Sequence, residues 1–257
     1  MTPPLARAAS GRADPLAPLL DLPGVPEAFS GARQAVDRLL AHRVLRRQSA
    51  AVSSESALRG ARASAALAGS EVPLSDLRAG ATADPTVQGA LRVTGGLGPL
   101  VAVWDQAPLQ ALARLHVLAA GSSVPTDRLG RPSGSPAVAT RLRSLAGLLA
   151  GGTQVSGTLL AAVVHGELAT LAPFGSADDL VARAAERLTL VARGVDPKAV
   201  SVPEVGHRER TDDYRPALAG YATGSADGVA GWLRHCAAAV EHGAREGLAI
   251  CEAVLRG

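Results

Sequence analysis

Aromatic side chains are almost missing from this chain of 257 residues, where two Phe, two Tyr and two Trp make up 2% of the whole. A core must then be built from Ala, Leu and Val, and the 47% hydrophobic fraction supplies them. Small side chains let helices pack closely, and Ala and Leu are among the strongest helix formers, so the expected fold class is all-α. Cysteine is nearly as scarce. Cys236 and Cys251 fall in a helical-looking tail; on one straight helix their separation is about 22 Å, too far for a disulfide. No Cys-x-x-Cys pair and no Cys/His cluster has metal-ligand spacing, so no metal site is expected. No run approaches the roughly 18 apolar residues of an ordinary membrane span. The first residues contain prolines and no continuous apolar stretch of the secretory kind. The expected location is cytoplasmic, with no membrane partner. An excess of positive charge is also lacking: 26 Lys and Arg face 23 Asp and Glu. The densest basic run, Arg43 to Arg47, has no interleaved aromatics, so no nucleic-acid partner is expected.

What is present is helical periodicity. Residues 1–23 are rich in Pro, Ala and Arg with no sustained period, which reads as a flexible arm or a partner-binding tail. Residues 24–257 read as a single helical domain. A first helix is expected from Pro26 to Arg47, and a second over residues 53–67 with Gly69 near its end. Asp84-Pro85 and Pro108 each open another. Residues 138–149 form a helix ended by Gly151-Gly152, and the final helix carries Trp232, Leu233, Cys236 and Val240 on one stripe. Residues 121–136 and 198–210 read as connections.

The centre of the chain is VVHGELATLAPFGSADDLVARAAERLTLVAR, residues 163–193. Leu160, Val163, Val164, Leu168 and Leu171 precede a short loop; Val181, Ala184, Ala185, Leu188 and Val191 follow it. The pattern is helix, turn at Pro173, helix. A buried aromatic followed by small residues at a helix start can hold a phosphate against free backbone N–H groups. The same residues have a structural reading: Ser176 as N-cap, Asp178 and Asp179 in the first turn favouring the helix dipole, and Arg183 paired with Asp179 at i−4.

This segment resembles the central motif of Fic-domain (Fido) proteins, His-Pro-Phe-x-Asp/Glu-Gly-Asn-Gly-Arg-x-x-Arg between two helices. Pro173, Phe174 and Arg183 match that pattern. Ala172 stands at the catalytic His, Ser176 at the acidic position, Ala177 and Asp179 at the two glycines, Asp178 at Asn and Leu180 at the first Arg. Upstream, Ser64, Ala68 and Gly69 are similar to the regulatory segment Ser/Thr-x-x-x-Glu-Gly/Asn, with Ala68 in place of the Glu that pairs with the last motif Arg. The segment around Trp232 is similar to the Gly-Asp-x-x-x-Trp stretch before the last Fic helix. The resemblance runs over residues 53–245 and implies a compact all-α Fic-like domain with a central helix-loop-helix.

By that resemblance the activity would be AMP transfer from ATP to a protein hydroxyl (AMPylation), with Mg²⁺ as cofactor. The nucleotide site would comprise Phe174, Gly175, Ser176, Ala177, Asp178, Asp179 and Arg183. The departures fall on the chemistry. Ala172 cannot accept a proton, a loss typically worth roughly 10² to 10⁴ in rate, and His165 lies about 10 Å back along its helix. His116 reads as a packed helical His. No catalytic residue is therefore assigned. The leading expectation is a catalytically impaired nucleotide-binding or regulatory and interaction module. The alternative is an active transferase using Asp178, Asp179 and Mg²⁺. A protein partner is expected on either reading, and a homodimer through Ala-rich helices is compatible with the composition.

Overall fold

The computed structural model describes residues 13–132 and 134–256, which form helices and the connections between them, with no strand. The order is α1 (Val25–Leu40), α2 (Ser49–Leu67), α3 (Leu74–Arg78), α4 (Pro85–Gly95), α5 (Val101–Trp104), α6 (Pro108–Ala120), α7 (Pro136–Gly147), α8 (Gly157–Leu171), α9 (Asp178–Ala192), α10 (Pro203–Glu209), α11 (Thr211–Ala222) and α12 (Ala226–Arg256). Among the described residues no helix is long and apolar enough to cross a membrane.

The central helix is α8. Ser156 caps it by accepting the Leu159 N–H at 3.2 Å, and its apolar side chains point in two directions at once. Leu159, Ala162 and Val163 join a core with α1, α11 and α12. Leu160, Val164 and Leu168 join a second core with α2, α4, α6, α7 and α9. A helix apolar all round belongs in the interior, and α8 is the partition that both cores share. The two tryptophans are fully buried, one in each core, and each finds a partner for its indole N–H. Trp232 donates to Ala162 O at 2.9 Å and Trp104 to Thr189 Oγ1 at 3.0 Å.

Several sequence signals act as read. Asp84 caps α4 through the amides of Thr86 and Val87, and Gly69 (φ 94°) follows the end of α2. Cys236 and Cys251 are both free and buried.

Three expectations change. The first helix ends at Leu40, and Arg43–Arg46 is a separate 3₁₀ turn in which His42 Nδ1 accepts the Val44 N–H at 3.4 Å. Residues 1–12 of the expected arm lie outside the described residues, but residues 13–23 are docked. There Asp14 accepts from Thr153 Oγ1 at 2.8 Å and Gln154 N at 2.6 Å, and Leu16, Leu19 and Leu22 pack on the first core. The connection at residues 198–210 contains a true helix, α10. It is set in place by Asp196, whose carboxylate takes the amides of Val200 and Ser201 and the Ser201 hydroxyl. It then packs backbone to backbone on α12: Val202 N donates to Gly243 O at 3.0 Å, and a Cβ on Gly206 would lie 2.1 Å from Ala239 O.

Candidate functional site

The turn between α8 and α9 reverses the chain with three residues in left-handed conformation, Ala172 (φ 42°), Gly175 (φ 71°) and Ala177 (φ 51°). Left-handed backbone costs an alanine roughly 1–2 kcal/mol, so something must hold the loop. That group is Asp178. Its Oδ1 accepts the Phe174 N–H at 2.9 Å, and the Gly175 and Ser176 amides also hold the carboxylate. Burial pushes its pKa up, and the loop amides oppose that shift. The concave set of N–H groups that could receive a phosphate is therefore filled from within, by a carboxylate at the first position of the following helix.

Ser176 is not the helix cap that its position suggested. Ala177 holds the N-cap position without any side-chain bond, because the Ser176 hydroxyl turns to His116, 3.1 Å from Nε2. The other ring nitrogen, Nδ1, accepts the Gly130 N–H at 2.9 Å. Since Nδ1 is an acceptor, the proton of the neutral ring sits on Nε2 and is donated to Ser176. The ring stacks on Phe174 with centroids 4.2 Å apart and planes 4° from parallel. His116 is thus the packed residue expected, and it ties the 121–136 connection to the loop. Burial lowers its pKa.

Arg183 also departs from expectation. It does not pair with Asp179; its Nε donates to Ser64 Oγ at 2.8 Å and its NH2 to Ser64 O at 2.9 Å, while NH1 lies 3.4 Å from Tyr214 Oη. The reason is direction. Arg183 is 1% exposed and faces the last turn of α2, where helix carbonyls are electron-rich and attract a cation; Asp179 faces a cleft. Of the suspected regulatory segment, Ser64 therefore meets Arg183 directly.

That cleft, of about 510 Å³, is where most of the sequence candidates gather. Ala68, Gly175, Ser176, Ala177, Asp178 and Asp179 line it together with Ala172 and the exposed Arg215. Phe174 lies behind it, buried against His116, and neither Arg183 nor Gly69 lines it.

Behind Arg183 the core holds a polar chain that sequence reading missed. Arg183 can only donate, so Tyr214 accepts from it and donates to His165 Nε2 at 2.8 Å. His165 Nδ1 then donates to Glu186 Oε2 at 2.7 Å. His207 Nε2 donates to the same oxygen at 2.8 Å, and His235 Nε2 donates to His207 Nδ1 at 3.1 Å. With all three imidazoles neutral the network balances one guanidinium against one carboxylate. Burial pushes the Glu186 pKa up, but the two histidines more than reverse this and hold it well below the usual range. Burial lowers His165, takes His235 down to about 3 and Tyr214 up to about 12. Glu186 Oε1 and His235 Nδ1 have no hydrogen-bond partner among the described residues. The only signal available in the sequence was polar residues, Glu186 and His165, on otherwise apolar helix faces.

No family model and no curated protein matches the sequence. Among solved structures, the chain is similar to a Fic family protein from Desulfovibrio desulfuricans G20, with a TM-score of 0.71 and 20% identity, over 88% of this chain and 74% of that one. The chain therefore has a Fic-like, all-α fold.

Proposed function

We propose that this protein is a regulatory or interaction module of Fic fold whose nucleotide site is closed by its own side chains. The observation that carries this reading is Asp178, whose carboxylate takes the Phe174 amide at 2.9 Å where an incoming phosphate would need it. A phosphate brought within about 4 Å of that charge would meet roughly 4 kcal/mol of repulsion at an effective dielectric of 20. Ala172 at the base position supports the same conclusion, since it has no proton acceptor. His116, the imidazole bonded to the loop, presents its N–H rather than a lone pair. Arg183 is committed to Ser64. We place the module in the cytoplasm, acting on a protein partner.

A second reading rests on the cleft itself. Asp178, Asp179 and Ser176 line it with Arg215, and one or two carboxylates plus phosphates make a usual Mg²⁺ shell. An AMP-transferase built that way would use Phe174, Gly175, Ser176 and Ala177 around the nucleotide and the two aspartates on the metal. ATP labelled at its α-phosphate, mixed with the protein, Mg²⁺ and cell lysate, separates the two. The expected result is no labelled protein above a control lacking the chain. A label that disappears in Asp179→Ala would establish the transferase instead.

A further inference from the structure

We propose that His165, Glu186, His207 and Cys236 form a structural site for one divalent transition-metal ion, of the zinc class. The four side chains come from α8, α9, α10 and α12, and one ligand atom from each lies within 4.8 Å of all the others. Two imidazoles, a carboxylate and a thiolate are a borderline-soft donor set suited to tetrahedral zinc. Zinc ligand distances place neighbouring donor atoms about 3.3 Å apart, so small movements of the rings and carboxylate convert the present contacts into a coordination shell.

Two further observations point to a ligand rather than to a hydrogen-bond network alone. Glu186 is 1% exposed and its Oε1 has no hydrogen-bond partner among the described residues, although two N–H groups crowd onto Oε2. Each histidine is also held through the nitrogen that would face away from the metal: His165 Nε2 by Tyr214 at 2.8 Å, His207 Nδ1 by His235 at 3.1 Å. Metal-binding histidines are oriented by this kind of outer bond.

The proton balance closes. The protons now facing Glu186 leave Nδ1 of His165 and Nε2 of His207 and reappear on the opposite nitrogens, donated to Tyr214 and His235. The Tyr214 hydroxyl turns, and His235 shifts its own proton to Nδ1. The Cys236 thiol loses one proton to solvent. The ion's two positive charges then meet one carboxylate and one thiolate, so the four-ligand shell is neutral, and the charge of Arg183 is left to the Ser64 hydroxyl and carbonyl that hold it. All four ligands are protein groups and all are buried, which makes the site structural rather than catalytic and filled as the chain folds.

The test is to unfold the full chain, refold it with one equivalent of Co²⁺ or Zn²⁺ or with a chelator, and measure retained metal and the cobalt absorption spectrum. The expected result is one ion per chain, tetrahedral cobalt bands with a thiolate charge-transfer band, and a higher melting temperature than the chelated sample. Cys236→Ser should remove the thiolate band and weaken binding at least about tenfold. A His42→Gln, His242→Gln variant, which removes the two surface His–Glu pairs, should retain the ion. Wild-type protein that refolds in the presence of the ion and retains none of it, octahedral cobalt with no thiolate band, or loss of the ion in the surface variant would each overturn the proposal.

Discussion

His116 is gripped by Gly130, Ser176 and Phe174, and its titration should be visible in stability. Burial lowers its pKa below the ordinary value of about 6.5, so below that value the unfolded chain binds a proton that the folded chain refuses. Its contribution is complete above about pH 6.5 and is lost as the pH falls through that value towards the folded one. Urea midpoints taken between about pH 7.5 and about pH 5 should therefore drop less steeply in His116→Gln than in wild type. Asp178 is the second residue whose role can be measured. Asp178→Ala strips the loop amides of their acceptor and should cost about 1–3 kcal/mol in equilibrium unfolding. Ala177→Gly relieves a positive φ of 51° and should stabilise the protein by up to about 1 kcal/mol in the same assay. Of these roles only the packing of His116 was legible in advance. The sequence showed that Asp178 stood where Asn is expected, but not that its carboxylate would turn back into the loop, since nothing in a linear pattern says which amides a side chain will find.

The helices that carry their own start signals were the readable ones. α4, α6 and α8 announce themselves with Asp84-Pro85, Pro108 and Ser156; a 3.6-residue apolar period follows in α4 and α6, and a helix apolar all round follows in α8. α10 was read as a connection because seven residues with a proline at the start and a glycine inside give no period to detect. Its position comes from outside, through the Asp196 turn and the backbone contact with α12. Gly206→Ala would drive a methyl group to 2.1 Å from Ala239 O, a clash with backbone that no rotamer can relieve. The change should cost about 1–3 kcal/mol by denaturant unfolding and displace His207, one residue on. Arg183 shows the complementary limit. The apolar period of Val181, Ala184, Ala185 and Leu188 leaves it on the far side of α9, but α9 is buried nearly all round, and the partner that meets Arg183 there is Ser64 of α2.

Across the whole molecule, the outline of the chain was legible and its polar interior was not. The central helix-loop-helix, the upstream Ser64–Gly69 segment and the Trp232 segment keep their order, and the resulting fold is that of a Fic family protein at 20% identity. The buried cluster of His165, Glu186, His207 and Cys236 draws one residue from each of four helices, so no local spacing could signal it. The Ala172 substitution was visible from the motif; the self-filled loop behind it needed coordinates. The most direct test of that closure is calorimetric titration of ATP, with and without Mg²⁺, into wild-type protein and into Asp178→Asn. The expected result is no saturable heat from wild type under either condition. Stoichiometric, Mg²⁺-dependent binding to wild type that Asp178→Asn abolishes would contradict it, because the carboxylate would then be holding the nucleotide's metal rather than excluding its phosphates.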